Sequence, residues 1–323
     1  MGFETHITEF AGLEVLDFPS RPGDPLPGGA TKPGPQAWRL DCGPALDADP
    51  QLTFGGLLEQ FLAKVDTTRV AALVTGLWAA TTHEIDTVAV ALAAHADRLP
   101  ALRALFLGEV VREQSDVAYI RLHPVTPVLA AFPRLEHLWL RGSLDSEHLG
   151  PEVPLIAPIG HDTLSTLVMQ SGGLNAATIG AVAHCDFPAL EHLEFYFGEP
   201  DYGGNATPAD IDWLLAGDRL PNLRHLGLRD SAIQDALAAA VAHAPVVAQL
   251  KTLDLSLGAL GDDGAAALLA GQPLGHLAKL DLHHHFLSEE MQRRLRQAWP
   301  GVEVDLSEPL SESQWGRYIA VAE

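Results

Sequence analysis

Cysteine is scarce. Cys42 and Cys185 are the only two in 323 residues, far apart and forming no CxxC. That count excludes a disulfide framework and a cysteine zinc site, and two buried thiols in a reducing cytoplasm are the expectation. Basic residues are also few: 20 Lys and Arg face 42 Asp and Glu, a formal net charge of −22. Nucleic acid and anionic membrane surfaces call for a basic face, so neither is expected as a partner. Basic proteins, cations and small molecules stay open. No apolar run nears the roughly 18 residues of a membrane span. MGFETHITEF at the start lacks the basic and apolar regions of a signal peptide. His6 stands where a myristoylation signal needs Ser or Thr. Catalytic signatures are missing too, with no GxSxG, P-loop, GxGxxG or HExxH. No enzyme activity and no cofactor are expected.

What is present is a beat. Leucines or their equivalents recur as L-x-x-L-x-L at Leu102/Leu105/Leu107, Leu135/Leu138/Leu140, Leu164/Leu167/Met169, Leu190/Leu193/Phe195 and Leu223/Leu226/Leu228. Two more copies start at Leu250 and Leu277, so first positions are spaced 33, 29, 26, 33, 27 and 27 residues apart. Weaker copies stand at Val70 and Val302. Four copies are entered by an apolar residue and proline: Leu99-Pro100, Phe132-Pro133, Phe187-Pro188 and Leu220-Pro221. Proline is tolerated as the first residue of a strand, where these are expected. Within one unit, Leu253 and Leu255 alternate as in a strand with both side chains buried. Leu260 turns the chain back, Gly264 permits close packing, and Leu268 lies on the inner face of a helix. One unit cannot close its own core, so neighbours stack.

The beat resembles leucine-rich repeats. An α/β solenoid is expected, a horseshoe of about eight or nine units, with a parallel sheet on its concave face and helices on its convex face. Helices are expected in IDTVAVALAAHADRL, NAATIGAVAHCD, ADIDWLLAGDRL, DALAAAVAHA and GDDGAAALLAG. Units of this length with helices resemble the ribonuclease-inhibitor type. The usual asparagine after the strand is replaced by Ser143, Gly172, Gly198, Ser231, Gly258 and His285, so loop carbonyls need other partners. Residues 67–309 form the repeat domain. Residues 1–66 are read as an N-terminal cap with a mobile Pro/Gly-rich loop at 19–37, and 310–323 as a C-terminal tail. Within the cap EFAGLEVLDFP reads as a hairpin, AWRLDC as a strand and TFGGLLEQFLAKVD as a helix. The motifs T-E-F-x-G-L-x-V-x-D-F-P at Thr8 to Pro19 and R-Y-x-A-V-x-E at Arg317 to Glu323 resemble the ends of an uncharacterised bacterial cytoplasmic leucine-rich-repeat family. That resemblance implies no catalytic activity.

The concave face carries the candidate sites. Strands about 4.8 Å apart align their side chains in rows. One row reads Val74, Phe106, Trp139, Val168, Glu194, Gly227, Asp254, Asp281, apolar first and acidic after. Its neighbours contain His137, Thr166, His192, His225, Thr252 and Lys279 on one side and Arg141, Gln170, Tyr196, Arg229, Ser256 and His283 on the other. Exposed Phe106, Trp139 and Tyr196, with Arg141, His137 and Arg229, form a docking patch for a protein or peptide, since aromatics and Arg dominate hot spots. The bland reading packs these rings under the N-terminal cap or the Pro/Gly-rich loop. A second reading has His192, Glu194, His225, Asp254 and Asp281 converge on a divalent metal that could activate water. Its bland counterpart is a solvated polar face. His283, His284 and His285 read as structural filling, with His285 at the asparagine position. His83 and Glu84 after Thr82, and Asp262 with Asp263, read as helix starts.

Overall fold

The computed structural model describes residues 3–21, 23–46, 49, 51–78, 87–144, 149–150 and 152–321. Twelve strands make one sheet. In chain order these are β1 (Glu9–Phe10), β2 (Leu13–Asp17), β3 (Gln36–Leu40), β4 (Val70–Thr75) and β5 (Ala104–Leu107). Then come β7 (His137–Arg141), β9 (Thr166–Gln170), β10 (His192–Gly198), β11 (His225–Ser231), β12 (Thr252–Asp254), β13 (Lys279–Asp281) and β14 (Glu303–Asp305). The short strands β6 (Arg121–Leu122) and β8 (Ser143–Leu144) pair with each other beside it. Only β1 runs antiparallel, as the hairpin partner of β2. Spatial order follows chain order, the topology of a solenoid. The parallel sheet begins at β2, so the hairpin and the strand AWRLDC extend the repeat sheet directly.

The leucine beat sets the core. Leu73, Leu105, Leu138, Leu167, Leu193, Leu226, Leu253 and Leu280 are each fully buried and join one cluster running from Phe18 to Leu306. Each such side chain stabilises by about 1.5–3 kcal/mol. Helices cover the far side of the leucines: Phe54–Lys64, Thr87–Ala94, Ala176–Val182, Gln234–Val241, Asp262–Ala270 and Glu289–Ala298. The expected helix in ADIDWLLAGDRL is a 3-10 turn, Pro208–Ile211, running into one α-turn, Asp212–Leu215. Glu289–Ala298 was not expected, although Ser288 caps it by accepting from the Met291 amide at 3.2 Å. The expected start at Thr82, His83 and Glu84 lies outside the described residues.

The prolines correct their expected place. Pro100, Pro133, Pro188 and Pro221 precede the strands by several residues, inside turns closed by amides of Leu102, Leu135, Leu190 and Leu223 on the carbonyls three residues back. Each proline holds the second turn position, where its fixed φ is already correct. The missing asparagines are replaced piecemeal. Gln234 donates to the Leu228 carbonyl at 2.8 Å, and its side chain fills the space beside Gly258. His285 accepts from the Leu287 amide and meets the Leu306 carbonyl at 3.2 Å, which is structural filling as expected. Asp262 and Asp263 lie in the first turn of their helix, but Asp235 of the preceding repeat binds the amides of Gly261 and Gly264 at its start.

Candidate functional site on the concave face

Two of the three expected rows exist as continuous register pairs. His137, Thr166, His192, His225, Thr252 and Lys279 are consecutive register partners. So are Val74, Phe106, Trp139, Val168, Glu194, Gly227, Asp254 and Asp281. Exposure is another matter. Phe106 is 0% exposed, and Tyr196 and Arg141 are 3% exposed, which overturns their expected place in solvent. The cause is that both terminal segments lie across the sheet.

Phe10 covers the aromatic half. Its ring stands 5.8 Å from Phe106 and 6.0 Å from Trp139, in a cluster with Ile7, Ala37, Ala72, Val74 and Ala104. Phe3 places its ring 3.6 Å from the Arg141 guanidinium, which also binds Gln170 and the Val110 carbonyl. Burial lowers the Arg141 pKa to about 10. Glu109, wholly buried, anchors this N-terminal strap. It accepts from the Ile7 amide at 2.9 Å, contacts His6 at 2.8 Å and pairs with Arg39 at 2.8 Å. Burial alone would raise its pKa; His6 and Arg39 hold it below the usual carboxylate range. From the other end, Val321 and Ala320 close over Val117, Val168, Tyr196 and Leu257, meeting Phe3 there. Of the described residues in the 19–37 loop, only Ala37, which lies in β3, belongs to either covering cluster.

The uncovered part is polar and layered. His137, Thr166, His192, His225, Thr252 and Lys279 are all half-buried, as is Trp139. Beneath them lie the buried carboxylates of Glu194, Asp254 and Asp281. One Glu194 oxygen meets His192 at 2.8 Å and His225 at 3.1 Å, and the other meets Arg229 at 2.9 Å. Burial would raise the Glu194 pKa, but the two imidazoles and the Arg229 charge hold it well below the usual range. Arg229 reaches Asp254 at 3.2 Å and Ser256 at 3.1 Å. Asp281 binds His283 at 2.7 Å and Lys279 at 2.8 Å, and these two keep its pKa low against burial. Burial, reinforced by His192, lowers the His137 pKa against Glu136.

Among the described residues two groups could offer metal ligands: His192, Glu194 and His225, and separately Asp281, His283 and Asp305, each with ligand atoms within 4.8 Å of one another. The five residues expected to share one ion therefore divide. Asp254 and Asp281 are engaged with Arg229 and with Lys279 and His283. The first trio has a geometric obstacle. The His192 and His225 rings are stacked, 3.8 Å apart at 4°. An imidazole ligates in its ring plane, and no ion between parallel rings lies in both planes. Arg229 also supplies the positive charge that an ion would bring to Glu194. In the second trio Lys279 stands between Asp281 and Asp305, at 2.8 and 3.5 Å. Adding zinc to metal-free protein is expected to leave the melting temperature unchanged by differential scanning fluorimetry. A saturable rise lost in His225→Ala would reverse this reading.

Sequence reasoning missed Glu109, Asp230 and Asp235, which fasten the termini and a helix start. The available signal was the pair of end motifs. Phe10 belongs to the first, and Arg317, Tyr318, Ala320 and Val321 to the second.

The parallel register, leucine-lined core and helical outer layer define a leucine-rich-repeat solenoid. No protein-family model matches the chain, and no curated protein does. Among solved structures, a Bacteroides fragilis protein superposes with a TM-score of 0.76 at 24% identity, over 86% of this chain and 75% of that one. That likeness is one of fold. An internalin from Listeria monocytogenes aligns at 12% identity and TM-score 0.31, over 74% of this chain and 54% of its own. TLR13, from a TLR13–ssRNA13 complex, aligns at 16% and 0.35, over 78% and 31%. No helix among the described residues is long and apolar enough to cross a membrane.

Proposed function

We propose that this protein is a non-catalytic interaction module that receives a protein or peptide on the uncovered strip of its concave face. The observation that carries this is the continuous half-buried row from His137 through Thr166, His192, His225 and Thr252 to Lys279, edged by Trp139. A rigid sheet presents hydrogen-bonding heads there at strand spacing, while the carboxylates below are already engaged. Such a surface suits an extended chain, whose carbonyls accept along the row. Of the residues first expected to dock a partner, Trp139, His137 and Arg229 reach this strip; Phe106, Tyr196 and Arg141 support it from beneath the straps. Helices behind the strands support the ribonuclease-inhibitor-like type. Two buried free thiols support a cytoplasmic setting, and the net charge of −22 counts against nucleic acid and anionic membranes as partners.

Thr166→Arg tests the reading. It places a bulky cation mid-row, at a half-exposed side chain outside the Glu194 network. A protein recovered by wild type from native cells and lost from the variant, with melting temperature unchanged, is the expected result. Equal recovery by both would move the site off the concave face.

A further inference from the structure

The C-terminal segment crosses the ends of three successive repeats. Asp230, Leu257 and His284 occupy equivalent positions, 27 residues apart, and all three adopt left-handed backbone (φ 51°, 68° and 56°) although none is glycine. Such backbone persists only where its surroundings enforce it. The segment touches each in turn. Tyr318 packs against His284 with ring centroids 5.8 Å apart. The Ala320 amide donates to the Leu257 carbonyl at 2.8 Å, and the Val321 amide to Asp230 Oδ1 at 2.9 Å. Arg317 locks the near end by pairing with Asp235 at 2.9 Å. Under Val321 lie Val168 and Tyr196 of the concave floor.

Asp230 is the unusual member. It is 0% exposed, and its Oδ2 has no hydrogen-bond partner. The adjacent Arg229 directs its guanidinium to Glu194, Asp254 and Ser256 instead. Among the described residues, Glu199 and Tyr196 also act on it electrostatically. An ionised carboxylate there would be a buried charge without a paired cation, which proteins avoid by keeping the proton.

We propose that residues 317–321 are a clasp on the concave face, that its opening is coupled to loss of the Asp230 proton, and that opening uncovers Val168 and Tyr196 to a partner. This regulation rests on the concave face being the binding face. Burial pushes the Asp230 pKa up to about 8, against the lowering effect of the Val321 and Ala320 amides and of Arg229. Released, the carboxyl returns to about 3.9. The closed clasp is therefore strongest at low pH, weakens as pH rises toward 8 and levels off above it. His284 works in the opposite sense at acid pH, because burial lowers its pKa and charging it favours opening. Measurement therefore starts at pH 6.5.

Chymotrypsin cleavage after Tyr318 reads the opening. Each rate is divided by that of a free peptide of residues 314–321 at the same pH. Cleavage after Trp315, which is 88% exposed, gives an internal control. The expected result is a rise of about thirtyfold after Tyr318 from pH 6.5 to 9.5, most of it below pH 8, and no rise in Asp230→Asn. Equal pH dependence in the two proteins overturns the proposal. So does a carbon-13 titration of wild-type Asp230 in the ordinary carboxylate range, which decides the matter even if the variant does not fold. A thirtyfold rise alongside equal partner recovery by wild type and Thr166→Arg keeps the clasp and removes the binding reading.

Discussion

Glu109→Ala is expected to destabilise the protein by about 3–5 kcal/mol, measured by urea unfolding at pH 7. The Glu109 carboxylate is wholly buried and holds three groups at once: the Ile7 amide, His6 and the Arg39 guanidinium, itself only 6% exposed. Removing it leaves Arg39 with Asp17 and the Ile7 carbonyl as its remaining acceptors. It also frees the strap that covers Phe106. The depressed Glu109 pKa gives the effect a pH signature. Its contribution is complete above the ordinary carboxylate range and is lost as pH falls through the native value. The gap between wild type and variant should therefore narrow below about pH 4. A loss under about 1 kcal/mol at pH 7 would mean that the strap is held by its apolar contacts alone.

Phe106→Ala is expected to cost about 3–5 kcal/mol, the range for emptying a buried aromatic site. The ring is fully buried between the sheet and Phe10, with Trp139 at 5.5 Å. Were Phe106 an exposed docking residue, the same change would alter binding and leave the unfolding midpoint almost unmoved. A midpoint shift as small as that of Thr166→Ala, on the half-buried row, would argue that Phe10 does not cover Phe106 in solution.

The repeat was legible because it is local. Leu253, Leu255, Leu260 and Leu268 carry the strand and helix periods within one unit, and each unit repeats its neighbour's instruction. The concave rows followed from that register, which is why His192, His225 and Glu194 were placed together correctly. The covering of those rows was not legible. Periodicity says which face a side chain takes, but not which distant segment lies on it. Phe106 faces away from the leucine core as expected and is buried nonetheless, by a phenylalanine 96 positions earlier in the chain. Glu109 and Asp230 were overlooked for a related reason. Glu109 is a single acid in a loop and Asp230 one near the end of β11, and each has its role fixed by partners about 70 to 100 residues away. The prolines were misplaced by a few residues because a strand's first position and a turn's second position both suit a fixed φ.

The crossing of both terminal segments changes how such a chain should come apart. In an open stack each unit touches only its neighbours, and the ends fray first. Here residue 3 hydrogen-bonds to residue 112 and residue 321 to residue 230, and the two ends meet over the middle of the sheet. The first and last units are thereby tied to interior ones, so loss of an end removes support from the centre as well. Through these contacts of long sequence separation the linear array is expected to melt as one cooperative body rather than fray from its ends.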